Sequence, residues 1–382
     1  MDAPAPTAQR TRRHAFLVGL ALPGQPGWQV REHLDELAAL ADTAGADVVG
    51  SAVQARPAPD PRLYIGAGKA AELAARLPGL AVDVVLFDDD LTGTQAKNLE
   101  DVLKVPVIDR SGVILEIFER RARSREARTQ VELARLNYEL PRLARKWGHL
   151  SRQVGGIGVR GGEGETQLEA DRRVLTRRIA KLRCELEHID ERRRRQRRSR
   201  TALPVVALAG YTNAGKSTLF NRLTRDGTFA EDRLFATLDA RVRRGALDAE
   251  RWPVLFADTV GFIRKLPHHL VASFRSTLDE VVEADLVVHV IDRSHPRWEE
   301  QQRVAEEVMA SLGVDPERVL VVFNKADRLG PGEPRQPDVL HVSAVTGEGL
   351  GALRATIGER LVRQRAAPRP PFEALPGRPG FA

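Results

Sequence analysis

Residues 205–223 read VVALAGYTNAGKSTLFNRL, and no other stretch restricts the possible folds of this chain as strongly. An apolar run sized for one buried strand meets Gly210-x-x-x-x-Gly215-Lys216-Ser217, and an amphipathic helix follows. A strand handing over to a helix through such a loop aims successive backbone N–H groups at one point, where phosphate oxygens satisfy them. The helix adds its positive end. Gly210, Tyr211, Thr212, Asn213, Ala214, Gly215, Lys216, Ser217 and Thr218 are therefore candidate phosphate-binding positions. Lys216 is expected to bridge the β- and γ-phosphates, and Ser217 to offer a hydroxyl to Mg2+. Gly66-Ala67-Gly68-Lys69 lacks both the upstream glycine and the hydroxyl residue, and is read as a turn entering a helix.

Further elements follow in the order a nucleotide switch requires. Asp258-Thr259-Val260-Gly261 closes the apolar run VLFAD, placing Asp258 to hold Mg2+ through water and the Gly261 N–H to meet a γ-phosphate. Many hydrolases of this kind place a water-orienting glutamine next; here the residue is Phe262. The run VVFNKAD ends in Asn324-Lys325-Ala326-Asp327. The Asp327 carboxylate can accept from the N1–H and the exocyclic amine of guanine, whereas adenine presents a lone pair at N1. The Lys325 stem can lie over the base, and Ser343, Ala344 and Val345 in VSAVTG supply backbone near guanine O6. The ligand expected is GTP, with GDP as product. Between these motifs a switch threonine must reach Mg2+. Thr224 is expected to remain helical and Thr228 lies in a polar loop, which leaves Thr237 in FATLDA as favoured, with Phe235, Ala236, Leu238 and Asp239 around it. Lys216, Thr237 and Gly261 are the candidate catalytic positions; Ser217, Thr237 and Asp258 are the candidate metal ligands. Asn213 either only shapes its loop or supports a potassium ion beside the phosphates. His268 and His269 are read as the polar start of a helix rather than as catalytic groups.

Around this core, 382 residues suffice for two or three domains. Strand–helix alternation over 13–109 and again over 201–365 predicts α/β domains with largely parallel sheets, and an N-terminal tail over 1–12 is expected to be disordered. Arg10, Arg12 and Arg13 before AFLVGLAL mimic a signal peptide, but the run is short and meets Pro23-Gly24, so it is read as a buried first strand. From 110 to 200 strand patterns vanish. Leu133, Leu136, Leu140 and Leu143, and then Leu175, Ile179, Leu182, Leu186 and Ile189, form two narrow seams of an antiparallel helical hairpin. Its tip is GGIGVRGGEG, residues 155–164, whose glycines argue against helix there. Residues 110–200 carry 25 Arg/Lys against 13 Asp/Glu, a net of +12 that leaves −5 for the rest of the +7 chain. Basicity confined to one arm, with ERRRRQRRSR at 191–200, points to a polyanionic partner. Cys184 is the sole cysteine, which excludes an internal disulfide and fits a reducing compartment. No run reaches the ~18 apolar residues of a membrane span. A monomer in the cytoplasm is expected, peripheral to the membrane at most in part, with a loose Pro/Gly-rich tail over 366–382.

These motifs together resemble the HflX family of ribosome-associated GTPases, within the Obg-HflX-like translation-factor class. The resemblance covers roughly residues 14–362 and is carried by YIGAGKAAEL, FDDDLTGTQAKNLE, VIDRSGVILEIFERRARSREARTQVELARL, GETQLEADRR and DTVGFIRKLPHHLVASFRSTLDEVVEADLVVHVID. It implies binding to the large ribosomal subunit through the arm and its tip, dissociation of stalled or idle ribosomes by the GTP-bound protein, and release on hydrolysis. It also implies that a hydrophobic residue such as Phe262 replaces the catalytic glutamine. The tip sequence Arg160-Gly161-Gly162-Glu163-Gly164-Glu165 departs from the family's usual Arg-Gly-Pro. An RNA-binding GTPase acting in ribosome assembly or tRNA metabolism is the alternative, and an ATP-binding role for the N-terminal domain has no phosphate loop to support it.

Overall fold

The computed structural model describes residues 12–143, 163–199, 203–224, 234–235, 237–247, 252–265, 275–330, 336 and 338–366. Most of the glycine tip, Thr228, Ala236, His268, His269 and nearly all of both terminal tails (1–11 and 367–382) lie outside these residues. The chain divides into two compact units, one of Met1–Arg194, Asp232–Leu238 and Lys265–Arg275, the other of Arg195–Glu231, Asp239–Arg264 and Ser276–Ala382.

The first unit carries a four-stranded parallel sheet in the order β2-β1-β3-β4, from β1 (Arg13–Ala21), β2 (Ala46–Ala55), β3 (Val84–Phe87) and β4 (Val107–Asp109). The run from Ala15 to Leu20 is buried throughout, as a central strand covered on both faces requires. Helices α1 (Gly27–Thr43), α2 (Ala67–Arg76) and α3 (Gly93–Leu103) make the crossovers. Gly66 precedes α2 as its N-cap, so GAGK is the entry to a helix. Thr92 and Gln95 cap α3 reciprocally: the Thr92 hydroxyl accepts from Gln95 N at 3.2 Å, and the Gln95 amide oxygen accepts from Thr92 N at 2.9 Å.

Helix α4 (Arg110–Arg121) differs from the sequence expectation, which places residue 110 at the start of the arm. Val113, Ile114, Leu115, Ile117 and Phe118 are all buried, so α4 belongs to the α/β layer. Its terminal charges disguise it in the sequence. Arg110 is itself buried, with one guanidinium N–H donating to Asp88 at 2.7 Å and another to Glu36. Burial raises Asp88 above the usual carboxylate range, with Arg110 and Lys265 opposing.

The arm comprises α5 (Arg125–Leu143) and α6 (Glu163–Ser199). Leu133, Ile179 and Leu182 form its buried seam, flanked by Leu136, Leu140 and Leu186. Arg178 grips Glu132 with two bonds of 2.7 and 2.8 Å, and Arg125 donates to Glu185. Pairing 125 with 185 and 132 with 178 makes the helices antiparallel. Helix α6 already includes Glu163 and Gly164, the last two residues of the glycine tip. The cost of glycine is smallest in a first turn, where few intrahelical bonds depend on it.

The second unit holds a six-stranded sheet in the order β10-β9-β8-β5-β7-β6. Its strands are β5 (Val205–Ala209), β6 (Arg241–Ala246), β7 (Pro253–Asp258), β8 (Leu286–Asp292), β9 (Val319–Asn324) and β10 (Leu340–His341), all parallel to their neighbours except β6, which runs against β7. Helices are α7 (Lys216–Thr224), α8 (Arg275–Val282), α9 (Trp298–Ser311) and α10 (Leu350–Ala366). After β5 the chain adds β6 and β7 on one side, then β8, β9 and β10 on the other. The carboxyl end of β5 is thus the switch point where ligands bind in open α/β sheets. The α/β class and parallel sheets expected from the sequence are borne out. No described helix is long and apolar enough to cross a membrane.

His289 lies inside this sheet on β8, 1% exposed, and neither ring nitrogen has a hydrogen-bond partner among the described residues. Burial lowers its pKa to about 4, with nearby Lys216 adding to the effect. The unfolded chain, with its histidine near 6.5, binds the proton more readily than the folded one. Stability is therefore unaffected above that value and falls as pH drops from about 6.5 towards 4. His289→Leu is expected to flatten this part of the curve, measured by urea unfolding across pH 4–7; an unchanged slope refutes the assignment.

Candidate functional site

At the end of β5 the backbone turns sharply. Gly210 has φ +143°, and a Cβ there would lie 2.2 Å from the Val290 carbonyl oxygen. Gly215 has φ +91°, and a Cβ there would lie 2.3 Å from Asn324 Nδ2. Both glycines of the motif are thus dictated by conformation and by close neighbours. Between them Asn213 is exposed with φ +61°, and Ala214 N donates back to the Tyr211 carbonyl. Thr212 is buried.

Helix α7 opens at Lys216, whose buried ammonium donates to the carbonyls of Gly210 at 3.1 Å and Tyr211 at 2.7 Å. Burial lowers its pKa to about 8, opposed by Asp258 and reinforced by Lys325. Next along the helix, Ser217 Oγ donates to Asp258 Oδ2 at 2.8 Å. Thr218 is half-buried. The Ser217–Asp258 pair offers a hydroxyl and a carboxylate, both hard oxygen donors, beside a glycine cradle that admits phosphate. That donor set fits Mg2+, which binds through one or two protein oxygens together with substrate phosphates.

Asp258 ends β7, and the residues after it run alongside the phosphate loop. The Thr259 hydroxyl donates to the Leu208 carbonyl at 2.7 Å, and Val260 is buried. Phe262 N donates to the Gly210 carbonyl at 3.0 Å, while Thr212 N donates to the Phe262 carbonyl at 2.7 Å. The Phe262 ring is 1% exposed. Its backbone is therefore stitched to the phosphate loop, and its side chain is core. Gly261 is closely hemmed in as well: a Cβ would lie 2.8 Å from Thr212 Cα and 2.9 Å from Lys216 Nζ. Because Thr212 Cα is backbone, the loop itself must move. Gly261→Ala is expected to lower GTP-dependent turnover by at least about tenfold, a 1.4 kcal/mol effect, while GDP binding changes less. Wild-type turnover in the variant refutes this.

Asn324 braces the base side of the site. Its amide nitrogen donates to the Ala214 carbonyl at 2.8 Å, and its amide oxygen accepts from Ala344 N at 3.1 Å. Lys325 takes the left-handed conformation, φ +61°, and its ammonium pairs with Asp292 at 2.8 Å. Asp327 Oδ1 accepts from the buried Ser343 hydroxyl at 2.5 Å, so one carboxylate oxygen is fixed within the protein. Ala326 is buried, Ala344 is buried, and Val345 is 61% exposed. Arg222 donates to the Ala344 carbonyl at 3.0 Å and to that of Val345, holding this loop to α7.

Within the second unit the structure brings together Gly210 to Thr218, Asp258 to Gly261, Asn324 to Asp327 and Ser343 to Val345. The switch segment is divided. Phe235, Thr237 and Leu238 fall in the first unit, where Phe235 packs edge-on against Phe118 with ring centroids 4.8 Å apart, and Asp239 falls in the second. Thr237 is buried. Lys265 also falls in the first unit, its ammonium 2.6 Å from Asp88 and 2.5 Å from Asp89. Sequence reasoning missed Asp292 and Arg222. Asp292 was accessible, since it ends the apolar run LVVHVID at the carboxyl edge of the sheet; Arg222 has the look of any helix-surface arginine.

Comparison with known proteins covers most of the chain. Residues 31–119 match the family model described as GTP-binding GTPase N-terminal, residues 121–200 the GTP-binding GTPase middle region, and residues 205–325 the 50S ribosome-binding GTPase. The GTPase HflX of Magnetococcus marinus is 48% identical over 342 residues, covering 86% of this chain and 79% of its own. The GTPase HflX of Escherichia coli K12 is 44% identical over 354 residues, covering 90% and 83%. A crystal structure of SsGBP in complex with GDP is 26% identical with a TM-score of 0.51, covering 92% of this chain and 99% of that one.

Proposed function

The chain belongs to the HflX family of GTPases, and from that premise we propose that it binds the large ribosomal subunit and couples GTP binding and hydrolysis to dissociation of stalled or idle ribosomes in the cytoplasm. The observation that carries this reading is one chain joining a GTP site to a basic segment, residues 110–200, with a net charge of +12. Arginine-rich helices favour ribosomal RNA through phosphate contacts, and a glycine-rich tip permits close backbone approach.

In this reading the backbone from Asn213 to Thr218 cradles the phosphates, and the positive end of α7 adds to the attraction. Lys216 exchanges its two carbonyl partners for phosphate oxygens, where its charge meets the charge developing in the transition state. Ser217 and Asp258 would hold Mg2+, which when bound supplies positive charge against the phosphates, and Thr237 is the switch threonine that the sequence favours for the same ion. The Gly261 N–H reports the γ-phosphate, and Asp327 with Lys325 selects guanine. A potassium ion beside Asn213 remains part of the proposal, tested by comparing rates in sodium and potassium buffers. Phe262 lacks any group to orient water, so the isolated protein hydrolyses GTP slowly and the ribosome completes the site. A contribution of the arginine-finger kind is worth ~10³–10⁵ in rate.

Sedimentation of the purified protein with ribosomes tests the reading. Co-migration with large subunits under a non-hydrolysable GTP analogue, loss of it under GDP, and depletion of joined ribosomes are expected. Equal binding in both nucleotide states overturns the coupling.

A further inference from the structure

A groove of about 1140 Å³ opens in the second unit between the end of α7, the β6–β7 hairpin and α10. None of its described lining residues belongs to the nucleotide site. Among its described lining residues the charged ones are Arg244, Arg354 and Arg363 against Glu359. Arg244 and Arg363 are exposed and form no ion pair with a described residue. Arg354 donates to the Arg222 carbonyl at 3.1 Å, while its Nε is buried with no hydrogen-bond partner among the described residues.

Beside these cations stands Trp252. It is half-buried, packed on the core from one side and lining the groove. The α10 wall is low. A Cβ at Gly358 would lie 3.7 Å from the Trp252 ring, an ordinary van der Waals contact, and a Cβ at Gly351 would meet nothing within 4 Å. Gly358 lies in the interior of α10, where glycine costs ~0.5–1 kcal/mol relative to alanine, and no described neighbour forbids a Cβ there.

Guanidinium groups next to an indole are the combination by which proteins hold single strands, phosphates on the cations and bases on the aromatic face. An acidic peptide would use the charges and leave the indole idle. We propose that this groove binds a single-stranded RNA segment, with phosphates on Arg244 and Arg363 and a base against Trp252. The proposal rests on the RNA-binding reading above and adds to it a contact distinct from the arm.

The test titrates the full-length protein with a short fluorescent single-stranded RNA of mixed sequence at several salt concentrations. The double variant Arg244→Glu/Arg363→Glu is expected to bind about tenfold or more weakly. Its log-affinity against log-salt slope should be shallower by about 1.4, at ~0.7 per phosphate for single strands. Gly351→Glu, whose side chain enters open space, should weaken binding in the same direction with an unchanged melting temperature. Ultraviolet cross-linking should recover the peptide containing Trp252. If both groove variants bind RNA normally while Arg192→Glu/Arg195→Glu in the arm abolishes binding, the groove proposal is refuted and the proposed function stands. If the unmodified protein binds no RNA, both are refuted. If the groove variants lose affinity for a polyglutamate peptide and keep it for RNA, the groove is a peptide site and this proposal is wrong.

Discussion

Asp327→Asn is expected to reverse the base preference, lowering affinity for GDP and GTP while raising it for the xanthine nucleotides. Guanine presents two donors, N1–H and the exocyclic amine, and a carboxylate accepts both. An amide at this position keeps one acceptor, and the Ser343 hydroxyl, 2.5 Å from Oδ1, claims it. The new NH2 then faces the base and meets a donor. A hydrogen bond to a charged group contributes ~1.5–3 kcal/mol, and an unpaired buried donor adds a comparable cost, so the loss for guanine should reach about 10²–10⁴. Xanthine carries a carbonyl where guanine carries the amine, and accepts from the new group. Competition of xanthosine and guanosine diphosphates for a fluorescent nucleotide measures the change. Undiminished preference for guanine would show that Asp327 does not read the base.

Lys216→Met should abolish most turnover, by about 10²–10³, the loss typical of removing one transition-state donor. Single-turnover hydrolysis with ribosomes present is the measurement, since the proposed function has the ribosome order the site. The same variant should gain stability without nucleotide. The ammonium is buried with a pKa of about 8, against 10.5 in the unfolded chain. Its burial cost is present in full below pH 8 and fades as pH rises from 8 to 10.5. At ~1.4 kcal/mol per unit, the variant should gain up to about 3 kcal/mol near neutrality. The Gly210 carbonyl keeps Phe262 N as a partner and the Tyr211 carbonyl keeps Ala214 N, so neither is stranded. A variant that is inactive and less stable would indicate a structural role for Lys216 instead.

The parallel sheets were legible because buried strands such as AFLVGLAL and LVVHVID leave unbroken apolar runs, which survive any choice of neighbour. The two-residue strand β10 was not, since Leu340 and His341 are strand only by pairing with Val322 and Phe323. Helix α4 was hidden by its charged ends, and its burial depends on Arg110 finding Asp88 and Glu36, which are distant in sequence. The phosphate and guanine loops are read from sequence because glycine conformation and hydrogen-bond chemistry restrict residue type position by position. The bond between Lys325 and Asp292 escapes, because an ion pair between separate strands has no fixed spacing. Phe262 illustrates a further limit. Its type announces the missing glutamine, but only the bridge to Tyr211 explains its burial.

Asn324 deserves its place between two loops for a kinetic reason. In the proposed site, one primary amide ties the turn that would wrap the phosphates to the turn that would meet guanine O6. Loosening at either end of the nucleotide would then free the other, and departure of the spent diphosphate is expected as a single concerted escape rather than a stepwise peeling from base to phosphate.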